Sequence, residues 1–243
     1  MNSTIQTISL VNLSLSFLPV LIVLTVLWHW SLDYRNSIYA VLRMLVQLLL
    51  IGYFLTYIFK SDNAIVIAAV LMVMIFVSGW IALRTVPAHR KNLYAKALFS
   101  IIIGGGTILA IITEAVLNLE PWYLPQYMIP LAGMIFANSM NSVSLSAERY
   151  SSEIKTNNYE TARNIAFNAS LIPNINTLFA VGIVSLPGMM TGQILSGVDP
   201  LIAVRYQIMV MCMIFGSAGI TTAIFLTLIK HESISMEKFS NAG

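Results

Sequence analysis

The sequence predicts an all-α fold: a polytopic membrane helical bundle of about seven transmembrane helices, with the N-terminus outside and the C-terminus cytoplasmic. Of its 243 residues, 58% are hydrophobic and 9% are charged, whereas a soluble domain carries about 25% charged residues. The apolar residues form runs of about 20, which is the length that crosses hydrocarbon as a helix. The basic residues concentrate in alternate loops, as expected where positive loops stay in the cytoplasm.

Seven apolar runs are separated by short loops, so residues 1–243 are predicted to form a single transmembrane domain. Backbone amides in lipid must be satisfied within the segment, and the runs lack period-two alternation, so helices are favoured over a barrel. The runs are Ile8–Trp28, Ile38–Phe59, Ala64–Leu83, Ala97–Leu117, Tyr127–Ala147, Ser170–Leu186 and Leu201–Ile229.

The orientation is predicted from the loops. Lysine and arginine concentrate between runs three and four, between runs five and six, and after run seven, where Lys230 and Lys238 lie. The loops on the opposite side carry Lys60 and no other basic residue. The segment Met1–Val11 has no lysine or arginine, so it lacks the basic region of a cleaved signal peptide and is expected to begin the first span.

Several chemistries are excluded by missing motifs. A P-loop requires Gly-Lys followed by Ser or Thr, and none of the six lysines follows a glycine, so the chain is not expected to bind ATP by that route. His29, His89 and His231 are far apart and form no His-Glu-x-x-His pair. The basic residues form no dense patch, so nucleic acid is not an expected partner. Cys212 is the one cysteine, and no intrachain disulfide is possible.

Each polar side chain inside an apolar run has two possible roles. Arg43 and Gln47 share a face of run two; they either snorkel or hydrogen-bond structurally, or they contact a substrate or partner. Glu114 is either an interfacial acid or a proton-coupled carboxylate. Asn138 and Asn141 in run five either join helices by hydrogen bonds or line a transport path.

The segment from Pro187 to Pro200 is predicted to bend. Pro187 is expected to end run six, because the residue before a proline is biased away from helical geometry. Gly188 and Gly192 form a G-x-x-x-G spacing that permits close backbone approach. Asp199 before Pro200 is typical of a helix N-cap, with contact to a cation as the alternative.

We therefore expect a re-entrant or interfacial element followed by a new helix. Its methionines either fill gaps or ligate a soft metal. The candidate path or gate residues in this element are Pro187, Gly188, Met189, Met190, Thr191, Gly192, Gln193 and Asp199.

The loop after run five turns charged between Glu148 and Asn168, with a small-residue stripe that includes Tyr159. It is predicted to be a short cytoplasmic amphipathic helix, interrupted at Asn157-Asn158, that either receives a partner or lies on the membrane as a solvated connector. The candidate docking residues in this loop and the preceding cytoplasmic one are Arg84, Arg90, Glu148, Arg149, Tyr159 and Arg163.

Three stretches of the sequence form a recognisable signature: Val184–Leu195, which contains Pro-Gly-Met-Met-Thr-Gly, Gly197–Pro200 and Tyr206–Met209. Together they resemble the signature of the Fet-type iron-export permeases, which are relatives of plant aluminium-tolerance membrane subunits. Supporting matches are Arg43–Gln47, Gly133–Asn138, Ser144–Arg149 and Leu171–Pro173. The likeness extends over most of the chain beyond about residue 35, and the Pro-Gly-Met-Met-Thr-Gly block is its most specific part.

The resemblance implies the membrane subunit of an ABC transporter that exports iron or another metal ion across the inner (plasma) membrane. It implies a separate cytosolic ATPase as partner, a homodimer of the permease, ATP bound on the partner, and no cofactor or enzymatic activity on this chain. The competing hypotheses are an ATP-independent channel or secondary carrier, and a membrane scaffold without transport.

Overall fold

The computed structural model describes residues 8–60 and 63–230, and these are almost entirely helical. Apart from an isolated bridge between Val181 and Ser185, the described ranges contain no strand. Residues 1–7, His231 and Lys238, on which parts of the sequence interpretation depend, lie outside them. The helices are α1 (Leu10–Leu15), α2 (Leu18–His29), α3 (Tyr34–Ile58), α4 (Ala64–Ala82), α5 (Arg90–Ser100), α6 (Gly106–Ala110), α7 (Pro125–Glu153), α8 (Tyr159–Ala180), α9 (Gly188–Leu195) and α10 (Pro200–Leu228).

Within residues 8–60 and 63–230, five helical stretches are long and apolar enough to cross a membrane: Leu10–His29, Tyr34–Ile58, Ala64–Ala82, Pro87–Val116 and Pro200–Leu228. They coincide with predicted runs one to four and seven, which confirms a multi-span helical membrane protein. Runs five and six correspond to α7 and α8, which have 29 and 22 residues but are more polar. The total of seven spans and their orientation stay predictions.

The described chain forms two compact units, and the first comprises residues 8–60 together with Leu195–Gly197. Its first span breaks at Ser16-Phe17, where Pro19 lies in the first turn of α2. Asp33 caps α3 by accepting a hydrogen bond of 3.1 Å from the Asn36 N–H. The side chains of Arg43 and Gln47 are both exposed on α3.

The second unit is built around α7, which packs against α4, α8 and α10. A hydrophobic cluster fills one end of this unit, where α4, α7 and α10 end and α5 and α8 begin. We call this end the turn end. The cluster consists of Ala82, Leu83, Val86, Leu93, Ala97, Val143, Ala147, Tyr150, Ala162, Ala166, Phe225, Leu226 and Ile229.

The fourth span widens twice into π-helix, at Ile101–Gly105 and Ile111–Val116. Its closest helix contact occurs at Gly104, where a Cβ would lie 2.7 Å from the Thr221 backbone nitrogen in α10. A Cβ on Gly105 would meet the side chains of Ile135 and Phe136 at 3.2 Å. These adjacent glycines, rather than a G-x-x-x-G pair, therefore allow the helices of this unit to approach closely.

The prediction that Gly188 and Gly192 mark a close backbone approach is wrong for the described chain. A Cβ added at either glycine would meet nothing within 4 Å. Both glycines lie in the short helix α9, and no neighbouring backbone of the described chain packs against them.

The boundary predicted for run six is also wrong, since α8 runs from Tyr159 to Ala180 and ends seven residues before Pro187. The chain leaves the helix at Val181 and turns at Gly182, whose φ of +83° suits glycine. Pro187 instead precedes α9, and its carbonyl accepts hydrogen bonds from the Thr191 amide and hydroxyl at 3.0 and 3.1 Å. Proline therefore begins a helix here rather than ending one.

The predicted separate amphipathic helix over residues 148–168 does not form. Its first part extends α7 to Glu153, and its second part is the opening of α8. The predicted interruption at Asn157-Asn158 is confirmed, because Asn158 caps α8 by accepting a hydrogen bond from the Thr161 N–H at 2.9 Å. The small-residue stripe therefore belongs to a long helix, and Ala162 and Ala166 are fully buried in it.

Asp199 is the N-cap of α10, and its Oδ1 accepts a hydrogen bond of 2.8 Å from the Leu201 N–H. We expect Asp199→Ala to lower the free energy of unfolding by about 1 kcal/mol, because an orphan helix amide loses its partner. Asp199→Asn keeps an accepting oxygen and is expected to stay close to the unsubstituted protein. Thermal unfolding of the purified chain measures both. Equal losses from the two substitutions would show that the charge, and not the cap, stabilises this position.

Candidate functional site

A cavity of about 280 Å³ opens in the second unit at the end remote from the hydrophobic cluster. It lies among the end of the fourth span, the first turns of α7, the helix α9 and the beginning of α10. Its lining residues are Leu117, Gln126, Tyr127, Pro130, Leu131, Met134, Met189, Gln193, Val198, Tyr206 and Met209. We call it the methionine cavity, because three of its walls each contribute one methionine.

The chemistry of the methionine cavity is neutral. None of its described lining residues is charged, and the polar groups are two amides and two phenols beside the three thioethers. The Oε1 atom of Gln193 is buried and has no hydrogen-bond partner within the described chain. A buried acceptor without a partner costs about 1–3 kcal/mol, so this carbonyl is available to a ligand.

Two of the residues predicted to line a transport path, Met189 and Gln193, do line this cavity. Asn138 lies one turn deeper in α7, where its Nδ2 donates to the Met134 carbonyl at 2.8 Å, and Asn141 is exposed. The remaining candidates lie in or beside α9 without lining the cavity: Pro187, Gly188, Met190, Thr191, Gly192 and Asp199. Of the predicted path residues, the structure therefore brings Met189 and Gln193, both on α9, to this cavity.

The polar stripe of α7 continues inward from the cavity as a set of buried hydroxyls. Ser139 accepts a hydrogen bond of 3.2 Å from the Thr221 hydroxyl of α10, and Ser142 lies 3.5 Å from the Asn174 amide of α8. These contacts fit the interpretation in which the polar residues of run five join helices. Asn138 remains a candidate for lining the transport path, because it is half-buried between the cavity and this layer.

The turn end brings the two predicted cytoplasmic loops together. The Thr85 hydroxyl donates to the Ser144 carbonyl of α7 at 3.2 Å, and Val86, Tyr150 and Ala162 share one hydrophobic cluster. Loops that lie 59 or more residues apart in sequence therefore form one surface. Because a helix rises about 1.5 Å per residue, Arg149 on this surface is about 30 Å along α7 from Pro130 in the cavity wall, which is one hydrocarbon thickness.

Tyr159 is the centre of the turn-end surface. Its hydroxyl donates to the Leu226 carbonyl near the end of α10 at 3.0 Å. The Arg163 guanidinium lies 5.6 Å and the Lys230 ammonium 5.4 Å from the centroid of its ring. The Tyr150 ring packs edge-on against the same ring, with 6.2 Å between the two centroids. Two cations on one ring hold positive charge at a fixed place on this surface.

The other docking candidates differ in how strongly the fold holds them. Arg149 pairs with Glu153 at 2.8 Å while its side chain stays 49% exposed, and Glu148 and Arg84 are exposed. Arg90 is held inside its own unit, because its guanidinium lies 3.7 Å above the Trp80 ring and donates to the Trp80 carbonyl. Arg149 is therefore better placed than Arg90 to meet a partner.

Gln126, Tyr127 and Met209 are cavity residues that the sequence interpretation did not select. They come from the start of α7 and from α10, about 80 residues apart, and no local spacing connects them. The described chain contains no group of three or more His, Cys, Asp or Glu that could hold a metal ion.

The helical spans and the cavity define the class of the protein, a multi-span helical membrane protein. The family model described as an uncharacterised protein family (UPF0014) matches residues 10–167 and 159–234. The chain therefore belongs to the UPF0014 family, which confirms the resemblance noted from the sequence. No solved structure matches the chain.

Relatives from bacteria and plants support the assignment. A UPF0014 membrane protein of Synechocystis is 37% identical over 198 residues, covering 74% of this chain and 76% of the relative. The probable iron export permease protein FetB of Escherichia coli is 31% identical over 210 residues, with 78% of each chain covered. The protein ALUMINUM SENSITIVE 3 of Arabidopsis thaliana is 33% identical over 203 residues, which is 77% of this chain and 73% of the relative.

Proposed function

We propose that this chain is the membrane permease subunit of an ABC transporter that exports iron or another metal ion, driven by a separate cytosolic ATPase. It acts as a multi-pass protein of the inner (plasma) membrane, as a homodimer, and is not itself an enzyme. ATP binds to the partner subunit. The similarity to a relative named as a probable iron export permease supports the cargo class.

The observation that carries the proposal is the joining of two charged loops into one surface, about 30 Å from an uncharged cavity. The hydrogen bond between Thr85 and Ser144 and the contacts of Tyr159 fix that surface. A partner that pushes on it acts directly on the ends of α4, α7 and α10 and the start of α8. Of these helices, α7 and α10 also line the cavity, so they connect the two ends mechanically.

The same arrangement supports the export direction that we propose. The basic loops are predicted to be cytoplasmic, so the methionine cavity lies toward the outer face. A cavity near the outer face suits release of the cargo, and α9, which forms one of its walls, is short and joined to the rest of the second unit by turns. Movement of α9 would open or close the exit.

The partnership is tested by affinity purification of the tagged chain from its native membranes. We expect an ATP-binding protein with a P-loop to co-purify, and we expect the purified chain to change its rate of ATP hydrolysis. Recovery of the chain without any ATP-binding protein, together with no effect on ATPase activity, would contradict the proposal and favour an ATP-independent channel or carrier.

A further inference from the structure

We propose that the methionine cavity binds a soft monovalent cation of the Cu⁺ or Ag⁺ type, held by the thioethers of Met134, Met189 and Met209. The inference rests on the proposed export of metal ions and narrows the cargo to a chemical class. Three features of the cavity support it: the nature of its donors, the absence of charge in its described lining, and its size.

The donors are sulfur atoms of methionine, contributed by α7, α9 and α10. Thioethers are soft, polarisable ligands that select Cu(I) over the hard ions Mg²⁺, Ca²⁺ and Mn²⁺, which prefer oxygen. Because Met134, Met189 and Met209 come from three separate helices, their convergence on one cavity is not a consequence of helical periodicity.

The lack of charge disfavours hard multivalent ions. A divalent or trivalent ion removed from water needs nearby anionic ligands to offset a desolvation cost of several kcal/mol or more. None of the described lining residues is charged, and no cluster of His, Cys, Asp or Glu occurs in the described ranges. A monovalent soft ion requires the smallest compensation, because thioether bonding supplies much of it.

The size of the cavity allows the three thioethers to meet one ion. A cavity of about 280 Å³ admits a single ion, and a methionine side chain has three rotatable bonds with which to bring its sulfur toward that ion. Gln193 lines the same cavity, and its buried Oε1 has no hydrogen-bond partner within the described chain. It supplies a polar contact to the bound ion or to a water molecule that accompanies it.

Gap-filling is the usual role of methionine, and Met140 in α7 illustrates it, since it packs against the hydrophobic cluster of the turn end. Met134, less than two turns earlier on the same helix, borders open space instead. The two residues share a helix and a chemistry but differ in surroundings, so Met140 is a matched control for the cavity methionines.

The first experiment measures Cu⁺ binding to the full-length chain, purified anaerobically in detergent, by competition with a chromophoric Cu⁺ chelator. X-ray absorption reports the ligands of the bound ion. We expect one Cu⁺ per chain with a sulfur shell, and at least tenfold weaker binding when Met134, Met189 and Met209 are all changed to leucine. Met140→Leu is expected to bind as the unsubstituted chain does.

A second measurement needs no variant and therefore does not depend on how leucine is tolerated. Mild peroxide oxidises accessible methionines to sulfoxides, and peptide mass spectrometry reports each site. We expect Ag⁺ to protect Met134, Met189 and Met209 but not Met72, which is 56% exposed on α4. Mg²⁺, a hard and redox-inactive ion added under the same conditions, is expected to protect none of them.

The inference is overturned if bound Cu⁺ shows only nitrogen and oxygen ligands, if the triple leucine variant binds as well as the unsubstituted chain, or if Ag⁺ protects none of the three methionines. Protection by Mg²⁺ equal to that by Ag⁺ would overturn the assignment to soft ions. Co-purification of an ATP-binding partner does not involve the cavity. Its failure would count against the proposed function, whereas loss of Cu⁺ binding with the partner still recovered would count against the cargo alone.

Discussion

Gly104→Ala is expected to destabilise the protein by about 3 kcal/mol, the upper part of the range for overpacking in a core. The added Cβ would lie 2.7 Å from the nitrogen and 2.8 Å from the Cα of Thr221. These are backbone atoms of α10, a helix that also packs against α7 and α8, so no side-chain rotation relieves the contact. Thermal unfolding in detergent is expected to show a midpoint lowered by about 6–12 °C.

Gly106→Ala is the matched control for this prediction. It lies in the same Gly-Gly-Gly run, but a Cβ there would meet nothing within 4 Å. Since alanine favours a helix by about 1 kcal/mol over glycine, this variant is expected to unfold at the same temperature or slightly higher. Equal behaviour of the two alanine variants would show that the close approach of the fourth span to α10 does not limit the stability of the fold.

Reversing two charges at the turn end, Arg149→Glu with Arg163→Glu, is expected to weaken association with the ATPase subunit at least tenfold, or about 1.4 kcal/mol. Arg149 is 49% exposed, and Arg163 lies over the Tyr159 ring at the centre of the surface. Like charges placed across an interface oppose binding and slow encounter. The measurement is the amount of partner retained on the immobilised chain over a range of partner concentrations.

The control for charge reversal is Glu120→Lys, an exposed position before α7 at the cavity end. It is expected to leave partner binding unchanged. In the double variant, Arg149→Glu puts a second carboxylate one turn from Glu153 on the same helix face, which costs about 0.2–0.5 kcal/mol and is too little to unfold the chain. Partner binding that is unaffected by the double variant would contradict the location proposed for the docking surface.

Much of the fold follows from hydropathy, because a span must satisfy its backbone and bury no charge in lipid. Most of the predicted run boundaries lie within a few residues of the helices observed, as in Ala64–Ala82 and Pro200–Leu228. Local signals are also readable: the Asp199-Pro200 pair predicts the start of α10, and Asn157-Asn158 predicts the interruption that precedes α8.

The errors arise where the structure depends on contacts between distant segments. Pro187 resembles a helix stop, yet the turn at Gly182 ends α8 before the proline is reached. Gly188 and Gly192 have the spacing of a packing motif, but the close contact between helices is made at Gly104, where the fourth span approaches α10. Met134, Met189 and Met209 meet at one cavity because of tertiary packing, which no spacing in the sequence encodes.

The central claim is that this chain moves a metal ion only when a separate ATPase drives it. The direct test is transport in proteoliposomes containing either the chain alone or the chain with its co-purified ATP-binding partner. We predict metal movement that requires both the partner and hydrolysable ATP, with no flux through the chain alone under an ion gradient. Rapid flux down the gradient through the chain alone, without ATP, would contradict the claim.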